Sequence, residues 1–474
     1  MDAAFHGSHR NKLILVGIVA SLMAFASPAT AGDVEVQSAR DFRESFGLRD
    51  DIEYVASSLS DSQRFSNTDW GVPLTTAEAD DLASRLQVQK SLGPAIDHAS
   101  KQPGYGGAYI DQLDGGLPVF LFTKDVATHS AEIGTFLEVG TRYDVRKVDH
   151  SLAALTTLKE EVSAERDDLM KADVEVVSVS VDVKSNRVVV GVLDKTDRKR
   201  DIVKGLGDPI VVIDETLPHT DTCLIDDCPN LKGGLKIAAT GATCTSGYLG
   251  RRTDGSHDDI VMVTAGHCIA TSSDATWKHN GTGFGTENPN HGWNNNSAAD
   301  VGFITVWSGH VPSNKNTFLS KPGTGTSAAL TGYRTFSQQI IGMQVCRIGW
   351  GSSNYHSSNS YYTARQCGQI ITYDTDTAST TDNNSQSCVD GTCKYIQKMK
   401  AVDFDSWAGD SGGTIFEQNS PVDDPTKLLG THVHSQDTGG YPADDKGWYS
   451  PYTQGTIRFG NDDIDIDGCF SSSC

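Results

Sequence analysis

All ten cysteines of this 474-residue chain fall between Cys223 and Cys474, and none precedes them. That split constrains the fold more than any other feature. An even set of cysteines confined to one stretch reads as a disulfide framework closed in an oxidising compartment. The stretch before it has no cysteine to contribute to such a framework. A chain this long is too large for one core, so two or more folding units are expected, with a natural division after residue 222. Nearest-neighbour pairing would join Cys223–Cys228, Cys244–Cys268, Cys346–Cys367, Cys388–Cys393 and Cys469–Cys474, although spacing alone does not fix connectivity. The clustered Cys-x-x-Cys spacing of a zinc site is absent, and no metal or other cofactor is expected.

The start of the chain speaks to its destination. His9, Arg10 and Lys12 form a basic segment, Leu13 to Ala26 is an apolar run too short to span a bilayer comfortably, and Ala29-Thr30-Ala31 is a small-x-small cleavage signal. Residues 1–31 therefore read as an export signal, with Gly32 the first residue of a secreted, extracellular protein. No later stretch is apolar enough to span a membrane. The formal net charge of −22 disfavours nucleic acid and anionic membranes as partners and favours a soluble chain, expected to be a monomer.

Residues 32–222 mix helix and strand signals. Thr75-Thr76-Ala77-Glu78 is a capping box that predicts a helix through Leu82 and Leu86. Gly107 to Asp111, a Gly115-Gly116 turn and Leu117 to Thr123 predict a hairpin. Ser151 to Met170 predicts one amphipathic helix. Val174 to Val183, the turn Lys184-Ser185-Asn186 and Arg187 to Leu193 predict a second hairpin. Residues 223–474 are rich in Gly, Ser, Thr and Asn, with short β-prone runs such as Asp259 to Thr264 and Val301 to Trp307. That pattern predicts an all-β barrel or sandwich.

Three strings in the second half carry chemistry: Thr264-Ala265-Gly266-His267-Cys268, Ala299-Asp300-Val301-Gly302 and Gly409-Asp410-Ser411-Gly412-Gly413. A serine hydroxyl is a poor nucleophile at neutral pH and needs a base that takes its proton and later returns one to the leaving amine. Imidazole has a suitable pKa for both steps. A carboxylate buried ahead of an apolar strand can fix the imidazole tautomer and stabilise the imidazolium. The order His, Asp, Ser separates this set from subtilisin-type and α/β-hydrolase arrangements. On these strings the second half resembles the chymotrypsin family of serine proteases, in particular its bacterial streptogrisin and α-lytic protease branch.

The resemblance implies an all-β fold, a chymotrypsin-like double β-barrel, over residues 223–474. It implies a catalytic triad of His267, Asp300 and Ser411, an oxyanion hole from the N–H groups of Gly409 and Ser411, and disulfides Cys244–Cys268 and Cys346–Cys367. Cys346-Arg347-Ile348-Gly349 is similar to the motif whose internal arginine pairs with the acid before the serine, so Arg347 and Asp410 are the expected structural ion pair. Thr414 stands where the family usually has proline. Before residue 223 the strings Gly-Ala-Tyr-Ile-Asp and Asn-Arg-Val-Val-Val-Gly-Val are similar to the branch's α+β pro-region of two related subdomains. The implied partners are protein or peptide substrates and the chain's own pro-region.

Substrate preference gives two opposed signals. Asp405, six positions before Ser411, resembles the pocket-base acid of trypsin-like members that attracts Lys or Arg. His432 and Ser435, in Leu429-Gly430-Thr431-His432-Val433-His434-Ser435, resemble the glutamate-selective bacterial members, and Val433 replaces the usual serine of that strand. His432 and His434 alternate along a strand, which argues against a shared metal ion. Asp463-Ile464-Asp465-Ile466-Asp467-Gly468 is similar to the first half of a calcium loop but lacks the last liganding acid, so an acidic tail is expected. The competing class is a secreted, catalytically silent binding protein on the same fold, and an esterase has no specific support.

Overall fold

The structure is a computed structural model. It describes residues 31–474 except 62, 66–68, 71, 216–218, 221–230, 253–258, 273–275, 292–297, 313–316, 322–325, 351–364, 381–392, 405, 407–408, 421–423, 437–445, 453–455, 460–461 and 469–474. The export signal, Asp405 and six of the ten cysteines thus lie outside the described residues or, for Cys393, outside the described side chains.

Four helices open the chain: α1 (Ala31–Ser45), α2 (Ile52–Ser60), α3 (Thr76–Ser91) and α4 (Gly93–Ala99). At the start of α3 both bonds of the capping box form: Thr75 accepts from the Glu78 N–H, and Glu78 accepts from the Thr75 N–H at 2.9 Å. Glu78 also pairs with the buried Arg43 of α1, so the cap locks two helices together. The hairpin of β1 (Tyr105–Asp111) and β2 (Leu117–Phe122) follows, then α5 (Val126–Gly134) and β3 (Asp144–Lys147), which makes a three-stranded sheet β1-β2-β3.

Residues 151–170 form two helices and not the single one predicted, α6 (Leu152–Ala164) and α7 (Arg166–Lys171). The break at Glu165 turns the buried Arg166 toward the second half of the chain. The second hairpin is β4 (Val176–Asp182) with β5 (Arg187–Val192), followed by α8 (Asp197–Lys204), β6 (Ile210–Asp214) and the two-residue β7 (His219–Thr220). Along β4 nearly every residue is buried, because helices cover one face of the sheet.

The rest is sheet. A nine-stranded sheet of half-barrel form holds β8 (Lys236–Ala239), β9 (Ala242–Thr245), β10 (Leu249–Arg252), β11 (Asp259–Thr264), β12 (Thr276–His279), β13 (Thr282–His291) and β14 (Gly302–Val306). The short helix α9 (Gly266–Thr271) leaves the end of β11. A second sheet holds β15 (Thr317–Lys321), β16 (Thr326–Tyr333), β17 (Gln344–Ile348), β18 (Arg365–Gln369), β19 (Thr375–Thr380), β20 (Cys393–Val402), β21 (Thr414–Glu417), β22 (Thr426–Gln436) and β23 (Lys446–Pro451). The chain closes with β24 (Thr456–Phe459) and β25 (Asp462–Gly468), which return to the first sheet beside β10. The acidic run 463–467 is therefore extended strand, whereas a calcium loop would have to coil around its ion.

The second sheet crosses residue 222. It has 13 strands, and its path runs β18-β17-β21-β22-β23-β20-β19-β4-β5-β6. The joint is antiparallel, with Thr375 opposite Ser180 and Thr377 opposite Ser178. Apolar packing crosses it too: Phe42, Phe46 and Leu82 share one buried cluster with Phe303, Phe318 and Phe416. Gly342 has φ +82°, and a Cβ there would stand 1.9 Å from the Ile110 carbonyl oxygen, so only glycine lets β1 approach this closely. Gln89 on α3 clasps the main chain of Gln344 from both sides, accepting from its N–H at 2.6 Å and donating to its carbonyl at 3.2 Å. Lys159 on α6 meets Asp374 at 2.7 Å and Asp376 at 2.6 Å, all three buried.

Candidate active site

Register brings His267 to Asp300. Antiparallel pairing of β11 with β14 sets Thr264 opposite Gly302. His267 lies three residues beyond Thr264, in the first turn of α9, and Asp300 lies two residues before Gly302. The chain ends so aligned meet twice: the His267 N–H donates to Asp300 Oδ1 at 2.8 Å, and Nδ1 lies 2.8 Å from Oδ2. Asp300 is fully buried, and its own N–H donates to Ser450 Oγ at 2.9 Å. A buried carboxylate is tolerated where donors surround it, as here. Cys244–Cys268 then bonds the residue after His267 to β9.

Thr245 on β9 joins this corner to the serine loop. Thr264 Oγ1 donates to the Thr245 carbonyl at 3.0 Å, the Thr245 N–H donates to the Ser411 carbonyl at 2.8 Å, and Thr245 Oγ1 donates to the Gly409 carbonyl at 2.5 Å. Gly412 has φ +92°, and a Cβ there would stand 2.1 Å from Thr264 Oγ1, so the turn after Ser411 needs glycine for its conformation and for its closeness to the histidine strand. Thr414, at the position of the expected proline, donates to the Gly247 carbonyl at 2.7 Å and so ties the start of β21 to the first sheet.

The Ser411 hydroxyl donates to the Val433 carbonyl at 2.9 Å. Along β22 the ladder to β23 slips between His432 and His434, which leaves Val433 out of the paired positions. Residue 433 thus contributes a main-chain carbonyl to this contact, which is independent of its side chain. Arg347 on β17 forms an ion pair with Asp410, and both side chains have no exposed surface. Gly349 makes room for it, since a Cβ there would collide with Arg347 Nη1 and Asp410 Oδ1. Cys346 and Cys367 face each other directly across β17 and β18 and are disulfide-bonded.

His432 is fully buried, and its main chain exchanges bonds of 2.8 Å with Gly412 and Gly413. Burial first, then the positive charge of Arg347, holds its pKa well below the usual histidine range, with Asp410 opposing. The imidazole is neutral at physiological pH. His434 packs on Trp448, with ring centroids 6.2 Å apart. The side chain of Ser435 lies outside the described residues; its main chain stands opposite His219 of β7. Cys244, His267 and Cys268 are close enough to hold a metal ion, but the two sulfurs are bonded to each other and offer no thiolate. The spacer Thr245, the cap Ser450 and the Val433 carbonyl have no motif of their own, and nothing local in the sequence signals them.

No family model matches the chain, and no curated protein matches it. Solved structures do. A glutamic acid-specific serine protease, described as using a histidine triad in substrate binding, is 20% identical over 47% of this chain and 93% of its own, with a TM-score of 0.31. Thermobifida fusca protease A is 17% identical over 47% of this chain and 91% of its own, at TM-score 0.31. Nocardiopsis protease is 21% identical over 47% and 92%, at TM-score 0.30. These neighbours are bacterial serine proteases. At this level of similarity the likeness assigns no activity, and the chemistry has to come from the chain's own geometry. Among the described residues, no helix is long and apolar enough to cross a membrane.

Proposed function

We propose that this chain is a secreted serine endopeptidase made as a precursor. The observation that carries the reading is the two-point grip of Asp300 on His267, with Thr245 and Thr264 tying that corner to the turn that bears Ser411. Ser411 Oγ attacks the substrate carbonyl. His267 takes the hydroxyl proton and returns one to the leaving amine. Asp300 holds the ring in the tautomer with Nδ1–H and offsets the imidazolium charge. Gly409 and Ser411 supply the N–H groups for the oxyanion, each worth ~3 kcal/mol in such sites. Arg347 holds Asp410 and with it the shape of that loop, so maturation needs no new α-amino group.

In this reading residues 1–31 are the export signal, 32–222 the pro-region and 223–474 the protease. A barrel of long-range strand pairs folds slowly, because loop closure costs entropy before contacts offset it. The β4–β19 joint, the Gln89 clasp and the Lys159 pairs let the first half act as a template for the second. The position of β7 on β22, beside Ser411, supports an inhibitory role for the same segment. Asp405, His432 and Ser435 are the candidate contacts for substrate selection.

Labelling with an organofluorophosphate tests the core claim. Ser411 is expected to be modified in the wild type and not in His267→Ala. Absence of labelling in correctly folded, processed protein would leave a catalytically silent binding protein.

A further inference from the structure

Thr245 makes more contacts with the serine loop than joining two corners requires. Its main-chain N–H holds the Ser411 carbonyl at 2.8 Å, and its carbonyl receives the Thr264 hydroxyl. Its buried hydroxyl is engaged at both ends as well: Oγ1 accepts from the Trp350 N–H at 3.0 Å and donates to the Gly409 carbonyl at 2.5 Å. A hydroxyl has one proton to give. With Trp350 as donor to its oxygen, that proton is committed to Gly409. The Trp350 side is pinned in turn. Lys236 stands opposite Thr245 in the β8–β9 register, and its Nζ lies 5.3 Å from the centre of the Trp350 ring.

Each peptide unit of the loop from Gly409 to Gly412 is held. The Gly409 carbonyl is held by the Thr245 hydroxyl. The Asp410 carbonyl accepts from the Gly413 N–H at 2.9 Å. The Ser411 carbonyl is held by the Thr245 N–H, and the Gly412 N–H donates to the His432 carbonyl at 2.8 Å. Of these holds only the first comes from a side chain, and it falls where the loop is least restrained by its own residue. Gly409 has φ +103°, a conformation open to glycine, which has no side chain to limit rotation on either side of its Cα. The ion pair of Arg347 with Asp410 grips the next side chain and does not fix the Gly409 carbonyl. Donors preset for a developing charge need no reorganisation when that charge appears.

We propose that Thr245 is a positioning residue for transition-state binding: its hydroxyl sets the Gly409 peptide, and through it the Gly409 N–H that receives the oxyanion. The inference rests on the protease reading above and adds to it a residue of the nine-stranded sheet, on the far side of the loop from β21 and β22. Thr245 touches no substrate and moves no proton in the reaction. A locked Gly409 peptide matters little while the substrate carbonyl is neutral and most when its oxygen carries charge. Loss of the hydroxyl therefore acts on the rate of acylation and not on the affinity for substrate.

The ester p-nitrophenyl acetate and the inhibitor phenylboronic acid test this on the secreted, processed enzyme. The ester reports acylation of Ser411 as a burst, and the boronic acid forms a tetrahedral adduct that imitates the charged intermediate. Thr245→Val is expected to slow the burst about 30-fold, part of the roughly 100- to 1000-fold that losing a whole donor costs, and to weaken the boronic acid by a similar factor. The ester concentration at half-saturation is expected to stay unchanged. Thr245→Ser, which restores the hydroxyl, is expected to recover both readouts. A wild-type burst in Thr245→Val would overturn the inference. So would a Thr245→Ser as slow as the valine variant, or a slower burst with boronic acid affinity intact. Where the valine variant does not fold, Lys236→Met decides: uncapping Trp350 should weaken both readouts about threefold, the size of one exposed cation–π contact, and no change would overturn the inference. A folded wild type with neither burst nor boronic acid binding would overturn the protease reading itself.

Discussion

Arg347 and Asp410 are fully buried within one half of the chain, whereas Lys159 meets Asp374 and Asp376 across the boundary between the halves. The two groups look alike in burial and differ in ownership. The first joins two residues that both lie in 223–474, so the pair itself does not span the boundary. The second exists only while the halves are together, with Ser163 donating to Asp376 at 2.6 Å and Arg166 standing 3.8 Å away. Buried pairs contribute little net stability compared with apolar replacements, but removing one partner is costly. The difference teaches that one charge group shapes a loop, and the other governs whether two parts of the chain stay joined.

The comparison can be broken or sharpened by measurements of decreasing size. Asp300→Asn should lower kcat about 10⁴-fold by favouring the wrong imidazole tautomer, with the halves still docked; peptide hydrolysis and size-exclusion profiles check both. Arg347→Met removes the cation that the buried Asp410 faces, and should cost ~3–5 kcal/mol in denaturant unfolding of the processed enzyme. Lys159→Met should cost toward the lower end of ~3–5 kcal/mol, because Arg166 still faces Asp376, and only in the first unfolding transition of the uncut Ser411→Ala chain. A cost of Arg347→Met that appeared only while the halves are joined would break the distinction drawn here. Gln89→Ala removes the acceptor of the Gln344 N–H, while the Gln344 carbonyl keeps the Gln418 N–H, and should cost ~1–3 kcal/mol in the same transition.

The smallest effect is one of pH. Burial pushes the Asp376 carboxyl up, but Lys159 and Arg166 outweigh it and hold its pKa below the ordinary 3.8. A depressed carboxylate contributes its stability above the unfolded pKa and loses it as pH falls through the folded value. The joint should therefore keep this contribution above about pH 5 and lose it progressively below pH 3.8. Dissociation of the nicked halves against pH checks the sign. Asp376→Asn should flatten that part of the profile.

What the sequence made legible was local. The strings around His267, Asp300 and Ser411 are short because each turn imposes its residues on the spot: glycine at 412 for φ and closeness, cysteine at 268 for the bridge to β9. The capping box at Thr75 is visible for the same reason. What stayed hidden was pairing at a distance. β19 is almost wholly polar and carries no apolar alternation that would name β4 as its neighbour. The helix break at Glu165 was hidden too: the next residue, Arg166, faces Asp376, more than 200 residues away along the chain. The Val433 carbonyl was out of reach because main-chain atoms leave no mark on residue identity.

The polar make-up of β19 has a consequence of its own. Its strand reads Thr-Asp-Thr-Ala-Ser-Thr, with β20 on one side and β4 on the other. Once β4 departs, β19 becomes a bare rim of unpaired amides in water. Rims of this kind recruit stray chains and seed aggregates unless charge or short polar side chains discourage them. Asp374 and Asp376, deprived of Lys159, would then repel any second strand that tried to settle there. Under the reading proposed above, the same two carboxylates that meet Lys159 in the joined chain would help keep a separated second half in solution.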